Sequence, residues 1–404
     1  MKKSTVCKLA ATAMAATMTA VCLTGCGTKN YAENNTEYFI GASGPLTGSY
    51  SVYGIAVENA AKLAVEEINA DLANKEGAIK FKFEMKDDTA TTTNVSSNFA
   101  TLYEKGMQAS LGCVTTGSCL EYKNYAKDEG VFCITPSATG DDVTKDADNM
   151  FQMCFSDSNQ GAVTVNWMLE DNHVAKDTKI GVLYCNNDAY SRGIYNTFKA
   201  SAEQSGYTIT TAVSFTNDAK GNPPADFSSQ VQSLKDCEFI FMPVYYTPAA
   251  MFMTEAQKST MSADAKFFGC DGFDGIDAME NFDLNTIKQE ISMLSHFNSA
   301  ATEGKAGEFI AKYKTKYGIL PNQFGAAAYD CVYAIAKAIE TAKANGKEVP
   351  ANISAQDMNT ILQEVFLSES FSVDGVTGTN IKWNAGGTVN KKASKFMIKA
   401  KNAD

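Results

Sequence analysis

Short apolar runs alternate with amphipathic stretches along almost the whole chain. Tyr38-Phe39-Ile40-Gly41-Ala42 reads as a strand, and residues 53–70 follow as a helix with Ala60, Leu63, Ala64 and Ile68 at helical spacing. Residues 79–85 alternate apolar with polar as a strand does, and a helix is expected over 92–104. Residues 109–112 lead into a helix around 120–127, and 131–135 read as the next strand. After a break at 150–159 the rhythm resumes. Strands at 180–185, 207–215, 239–244 and 267–270 are separated by helices at 190–204, 227–234 and 249–258. The later chain is mostly helical, over 307–317, 324–344 and 357–366, and closes on short strands at 379–383 and 394–399.

Such alternation implies α/β architecture, with parallel sheets covered on both faces and right-handed crossovers. Two series with a break between them predict two doubly wound lobes. In open sheets of this kind ligands bind at the carboxyl ends of the strands. There the chain places Cys113-Val114-Thr115-Thr116-Gly117-Ser118 and Pro136-Ser137-Ala138-Thr139-Gly140, both rich in hydroxyls and backbone N–H groups at helix starts. Either segment alone fits ordinary N-capping; two on neighbouring strands favour a site for a carboxylate. The second series ends its strands in Asn187-Asp188-Ala189-Tyr190, in Val244-Tyr245-Tyr246 and in Cys270-Asp271-Gly272. Asp271 is placed to hold an ammonium group, although a lone Asp-Gly also suits a turn. Tyr50, Tyr53, Tyr190, Tyr245 and Tyr246 supply an aromatic wall.

The N-terminus changes the picture of where this happens. Lys2, Lys3 and Lys8 precede an uncharged run over 9–23, which is shorter than the ~20 apolar residues of a membrane span and fits a signal-peptide core. It ends in Leu23-Thr24-Gly25-Cys26, which resembles a lipobox. Residues 1–25 are therefore expected to be removed, Cys26 to carry a lipid, and 26–36 to form a flexible polar tether at the outer face of the cell membrane. Losing a leader with three lysines and no acid takes the formal charge from −11 to about −14. So acidic a surface argues against nucleic acid, which is bound through phosphate neutralisation. Roughly 370 mature residues exceed one ordinary core and suit two lobes. Eight cysteines remain after Cys26, several within apolar strands, and are expected as buried free thiols. With no CxxC and only His173 and His296, no zinc site or other cofactor is expected.

Taken in order, Gly44-Pro45-Leu46-Thr47-Gly48, Tyr53-Gly54, Ala64-Val65-Glu66-Glu67-Ile68-Asn69, Asp87-Asp88, Ile134-Thr135-Pro136-Ser137-Ala138-Thr139, Asp157-Ser158-Asn159-Gln160-Gly161, Asp226-Phe227-Ser228 and Gly375-Val376-Thr377-Gly378 resemble one family. It is the branched-chain amino-acid type of ABC-transporter solute-binding protein, with the type I periplasmic-binding-protein fold. The resemblance implies two lobes joined by a three-crossing hinge, near Ser156, His296 and Leu367. Lobe 1 then comprises 37–156 with 297–367, and lobe 2 comprises 157–296 with 368–404. It further implies that Thr116, Ser137 and Thr139 hold a ligand α-carboxylate, that Asp271 holds the α-ammonium with help from the Ser137 loop, and that Tyr53, Tyr190 and Tyr246 line the pocket. Asp271 departs from the family in standing where Glu is frequent.

These readings imply a monomer that delivers a free amino acid, neutral with an aliphatic or aromatic side chain, to an ABC permease. The alternatives are a sensor serving a membrane receptor and a transporter subunit for an aromatic or other organic acid. An enzyme is not expected. The hydroxyls have no His at a matching strand end to serve as base, adjacent Asp87 and Asp88 point to opposite sides of a strand, and no Gly-rich phosphate loop is present.

Overall fold

The structure is a computed structural model that describes residues 29–170, 173–279 and 281–401. The leader and Cys26 lie outside the described residues. In chain order the first elements are β1 (Tyr38–Gly44), α1 (Ser51–Leu72), β2 (Phe81–Asp87), α2 (Val95–Glu104), β3 (Ala109–Cys113), α3 (Thr116–Asp128), β4 (Phe132–Thr135) and β5 (Met150–Gln152). Then come α4 (Asp157–Leu169), β6 (Ile180–Cys185), α5 (Ala189–Gln204), β7 (Ile209–Phe215), α6 (Ser228–Leu234), β8 (Phe239–Met242), α7 (Tyr246–Ala256), β9 (Lys266–Gly269) and β10 (Glu290–Ser295). The chain ends in α8 (Gly304–Tyr317), α9 (Gln323–Ala344), α10 (Ala355–Phe366) and β11 (Ser394–Lys399).

Two sheets result, as the alternation predicts. Lobe 1 carries the parallel order β2-β1-β3-β4-β5, and lobe 2 carries β11-β10-β9-β8-β6-β7, parallel except for the antiparallel edge strand β11. Without β11 the two orders are the same, each with a switch point next to its first strand: β1/β3 in one lobe and β6/β8 in the other. β1 is buried at every position because β2 and β3 flank it and helices cover both faces, which is why it reads as an unbroken apolar run. Side-chain caps start several helices: Ser156 accepts from Asn159 N (3.3 Å) at α4, Asp188 from Ser191 N (2.8 Å) at α5 and Asn322 from Gly325 N (3.0 Å) at α9. All eight described cysteines are buried and none is paired with another.

Three elements were not foreseen. β5 has too few residues to show a period, α4 turns Gln160, Gly161 and Thr164 inward, and β10 buries Ser292 and Ser295. The last two bury polar groups where the hydrophobic pattern requires apolar ones.

The hinge also differs in one place. The first crossing follows β5 and the second follows β10, where the His296 ring meets Phe155 edge-on (centroids 5.3 Å apart). The third lies near Lys391 and not at Leu367. Residues 368–390 stay on lobe 1, where Trp383 Nε1 donates to Gln152 O (2.8 Å) and Val376 N and Thr377 N donate to the Asp330 carboxylate (2.7 and 2.9 Å). Within this segment the expected strand at 379–383 reduces to isolated bridges, Val373 with Ile381 and Trp383 with Val389. The expected tether is likewise docked from Asn30 onward. Asn30 Nδ2 donates to Asn352 O (3.2 Å), Asn35 Nδ2 donates to Gly106 O (2.8 Å), Tyr31 packs edge-on against Tyr103, and Ala32 is buried. Polar side chains there satisfy lobe 1 carbonyls, so a polar composition does not leave the segment free.

Candidate functional site

The carboxyl ends of both sheets face each other across a cavity of about 240 Å³. Lobe 1 contributes Tyr53, Val114, Thr115, Thr116, Ser137 and Phe324; lobe 2 contributes Tyr190, Tyr245, Asp271 and Gly272. The lobes are drawn together around it. Thr247 Oγ1 donates to Ser49 O (2.6 Å), Ser49 Oγ pairs with Asn222 Oδ1 (2.8 Å), and Gln323 N donates to Asp274 Oδ2 (2.8 Å).

On the lobe 1 side, β3 ends in Thr115, which is extended as the residue before α3, so the hydroxyls of Thr115 and Thr116 stand at the helix's positive end. Ser137 Oγ donates to Val114 O (2.7 Å), and Thr116 Oγ1 accepts from Gly140 N (3.2 Å), tying the loops after β3 and β4 into one wall. On the lobe 2 side, Asp271 follows β9 and is 2% exposed. Its Oδ1 accepts from Tyr190 OH (2.7 Å), which in turn accepts from Gly272 N (2.9 Å). A Cβ at position 272 would lie 2.7 Å from that phenolic oxygen and 2.9 Å from Val244 O, so only glycine fits. Tyr190 and Tyr245 stack nearly parallel (4.7 Å, 8°), while Tyr53 meets Phe324 edge-on (4.7 Å).

The charge balance is one-sided. Burial raises the Asp271 carboxyl to about 6, against the opposing pull of hydrogen bonds from Tyr190, Gln160 and Gly272. No ion pair within the described residues involves Asp271. Behind it, Asp157 at the start of α4 is 1% exposed, and burial holds its carboxyl well above the usual range. A Cβ on Gly193 would meet Asp157 Oδ2 at 2.7 Å, so α5 packs directly against this carboxylate. Thr115 Oγ1, on a residue that lines the cavity, is buried without a hydrogen-bond partner among the described residues. Buried polar atoms are rarely left so, and this hydroxyl marks where a polar solute completes the bonding.

The structure brings together Tyr53, Thr116, Ser137, Tyr190 and Asp271 as lining residues. Two candidates are displaced. Tyr246 is buried behind Tyr53, edge-on at 5.0 Å with its N–H donating to Tyr53 OH (3.2 Å), and its neighbour Tyr245 faces the cavity instead. Thr139 does not line the cavity, and its hydroxyl lies toward Asp157. Sequence reasoning named Val114, Thr115 and Gly272 only as parts of strand-end segments, and gave no role in the site to Phe324 or Asp157. Thr115 and Gly272 adjoin residues it did assign, and Asp157 opens a segment carrying the family resemblance. Phe324 gives no local signal, since it arrives on α9 from far along the chain. No cluster of three or more His, Cys, Asp or Glu able to hold a metal ion occurs among the described residues.

Comparisons with known proteins agree with this geometry. The periplasmic binding protein family model matches residues 37–394. The Leu/Ile/Val-binding protein homolog 3 of Brucella melitensis is 26% identical over 353 residues, covering 86% of this chain and 91% of the relative. The branched-chain amino acid transporter substrate binding protein LivJ of Streptococcus pneumoniae, solved in complex with isoleucine, is 27% identical with a TM-score of 0.72, covering 90% of this chain and 96% of that one. A benzoate-bound solute binding protein from R. palustris superposes with a TM-score of 0.74 at 17% identity, over 90% of this chain and 94% of that one, a likeness of fold. With two doubly wound lobes enclosing a cavity between them, the chain belongs to the periplasmic binding protein family, whose members are extracytoplasmic solute-binding proteins of ABC-transporter type and not enzymes.

Proposed function

We propose that this protein captures a free L-amino acid with an apolar side chain between its lobes and delivers it to the permease of an ABC importer. The single observation that carries the reading is Asp271, a buried carboxylate with neutral hydrogen-bond donors and no cationic partner. It faces hydroxyls and a helix N-terminus across the cavity. An α-ammonium pairs with Asp271. An α-carboxylate lies against Thr115, Thr116 and Ser137, and the side chain packs on Tyr53, Tyr190, Tyr245 and Phe324. The lipobox-like Leu23-Thr24-Gly25-Cys26 supports attachment to the outer membrane face through a lipid on Cys26. Stable anchoring requires more than one acyl chain. Release of captured solute beside a membrane-bound permease then gains from high effective concentration.

A thermal-shift screen tests the ligand class. An L-amino acid at ~100 times its dissociation constant stabilises the protein by ~2.7 kcal/mol, a shift of several degrees. L-Leucine and L-isoleucine should give it, and their deaminated 2-oxo analogues should not. A shift from benzoate in place of the amino acids would overturn the reading in favour of an organic acid.

Affinity should also depend on pH. With Asp271 near 6 in the unliganded protein, the ionised form that pairs with the ammonium declines as pH falls. Calorimetry is expected to show about tenfold weaker binding at pH 5 than at pH 7. The sign for the unliganded fold is opposite. A carboxyl raised from 3.8 to about 6 binds more protons folded than unfolded between those values, so its contribution to stability improves as pH falls through that window.

A further inference from the structure

Beside the main cavity lies a second, smaller one of about 170 Å³, and Tyr245 lines both. Its remaining wall includes Tyr50 from lobe 1 and Phe215, Asp188, Asn217 and Cys185 from lobe 2. Because Tyr50 belongs to the opposite lobe, and its OH donates to Gly221 O (3.2 Å), the chamber is completed only when the lobes are together.

The chamber's chemistry is that of a cation site. Asp188 accepts from Ser191 N (2.8 Å) as the cap of α5, an ordinary role that by itself would say nothing of a ligand. Two further observations point inward. Tyr245 OH is buried, with the residue 9% exposed, and has no hydrogen-bond partner among the described residues; the same holds for Asn217 Oδ1. The rings of Tyr50 and Tyr245 pack at 4.8 Å and 59°, presenting aromatic surface beside the carboxylate, an arrangement that attracts ammonium groups. Arg192, the next charged residue along α5, acts on Asp188 through its field, but no ion pair joins the two among the described residues.

We propose that the ligand site is bipartite, and that the chamber behind Tyr245 takes a terminal ammonium carried on the ligand's side chain. An amino acid with a long apolar stem would run along the stacked Tyr190 and Tyr245 rings and place its charged end between Asp188, Asn217 Oδ1 and the aromatic rings. Neutral amino acids fill the first chamber only, and a terminal ammonium adds the second. The inference rests on the amino-acid reading above and extends its ligand class from apolar side chains to those that end in an ammonium.

L-Lysine and L-norleucine differ only in that terminal amine, so their affinities isolate the second chamber. Calorimetry on the full chain at pH 7 should show L-lysine binding at least tenfold more tightly than L-norleucine. The Asp188→Asn variant, whose asparagine still caps α5, should lose most of that ratio. Equal affinities, or tighter binding of L-norleucine, would overturn the bipartite site while leaving the amino-acid reading intact. A preference for L-lysine that survives Asp188→Asn would overturn the assignment to this chamber. Failure of L-leucine, L-norleucine and L-lysine alike would instead sink the amino-acid reading beneath it.

Discussion

Replacing Asp271 with alanine is expected to weaken L-amino-acid binding by at least about a hundredfold, measured by titration calorimetry at pH 7. Removing one member of a buried ion pair costs ~3–5 kcal/mol, because the other charge stays buried without its partner. At ~1.4 kcal/mol per tenfold, that exceeds two decades in affinity. Any single aromatic substitution should cost less, since the wall shares its contacts among Tyr53, Tyr190, Tyr245 and Phe324. The variant also separates binding from folding. Burial already disfavours the Asp271 carboxylate in the unliganded protein, so its removal should leave the unliganded melting temperature within a few degrees of wild type. Only the ligand-induced shift should vanish. Near-wild-type affinity would refute the assignment.

The second large effect falls on stability. Asp330 on α9 is 1% exposed and accepts from Val376 N, Thr377 N and the Thr377 hydroxyl, which also accepts from Lys391 Nζ. One carboxylate thus secures the lobe 1 segment leading into the third crossing. Asp330→Ala would strand two backbone donors and remove the negative charge that favours the Lys391 ammonium. Each buried unsatisfied group costs ~1–3 kcal/mol. Loss of this charged network is expected to lower the melting temperature by about 5 °C. Calorimetric scanning checks it, and a change of under 2 °C would mean the segment is held by Trp383 and its neighbours instead. Residual folded variant should still bind ligand, because Asp330 does not line the cavity.

The alternation of strands and helices was legible because strands buried on both faces must be apolar throughout, and most of the parallel strands here obey that rule. The site was legible to the extent that it sits at strand ends. Where the two tyrosines after β8 are concerned, the turn decides. Tyr245 is still extended and points into the cavity, while Tyr246 begins α7 and is carried behind Tyr53. Nothing in Val244-Tyr245-Tyr246 indicates which will face the cleft. Phe324 was invisible for a different reason: only the packing of α9 against α1 brings its ring to Tyr53. The displaced third crossing has the same origin, since residues 368–390 have little periodicity and are held to lobe 1 chiefly by hydrogen bonds from distant parts of the chain.

The docking of residues 30–35 has a mechanical consequence. These residues are fastened to lobe 1 through Asn352, Gly106 and Tyr103. Whatever restrains the chain upstream of residue 29 therefore restrains lobe 1. On the proposal that the chain is anchored through Cys26, lobe 1 would be the stator and lobe 2, with Asp271 and the tyrosine stack, the jaw that swings. On the same proposal, a permease would meet one half at a fixed height and read the angle of the other.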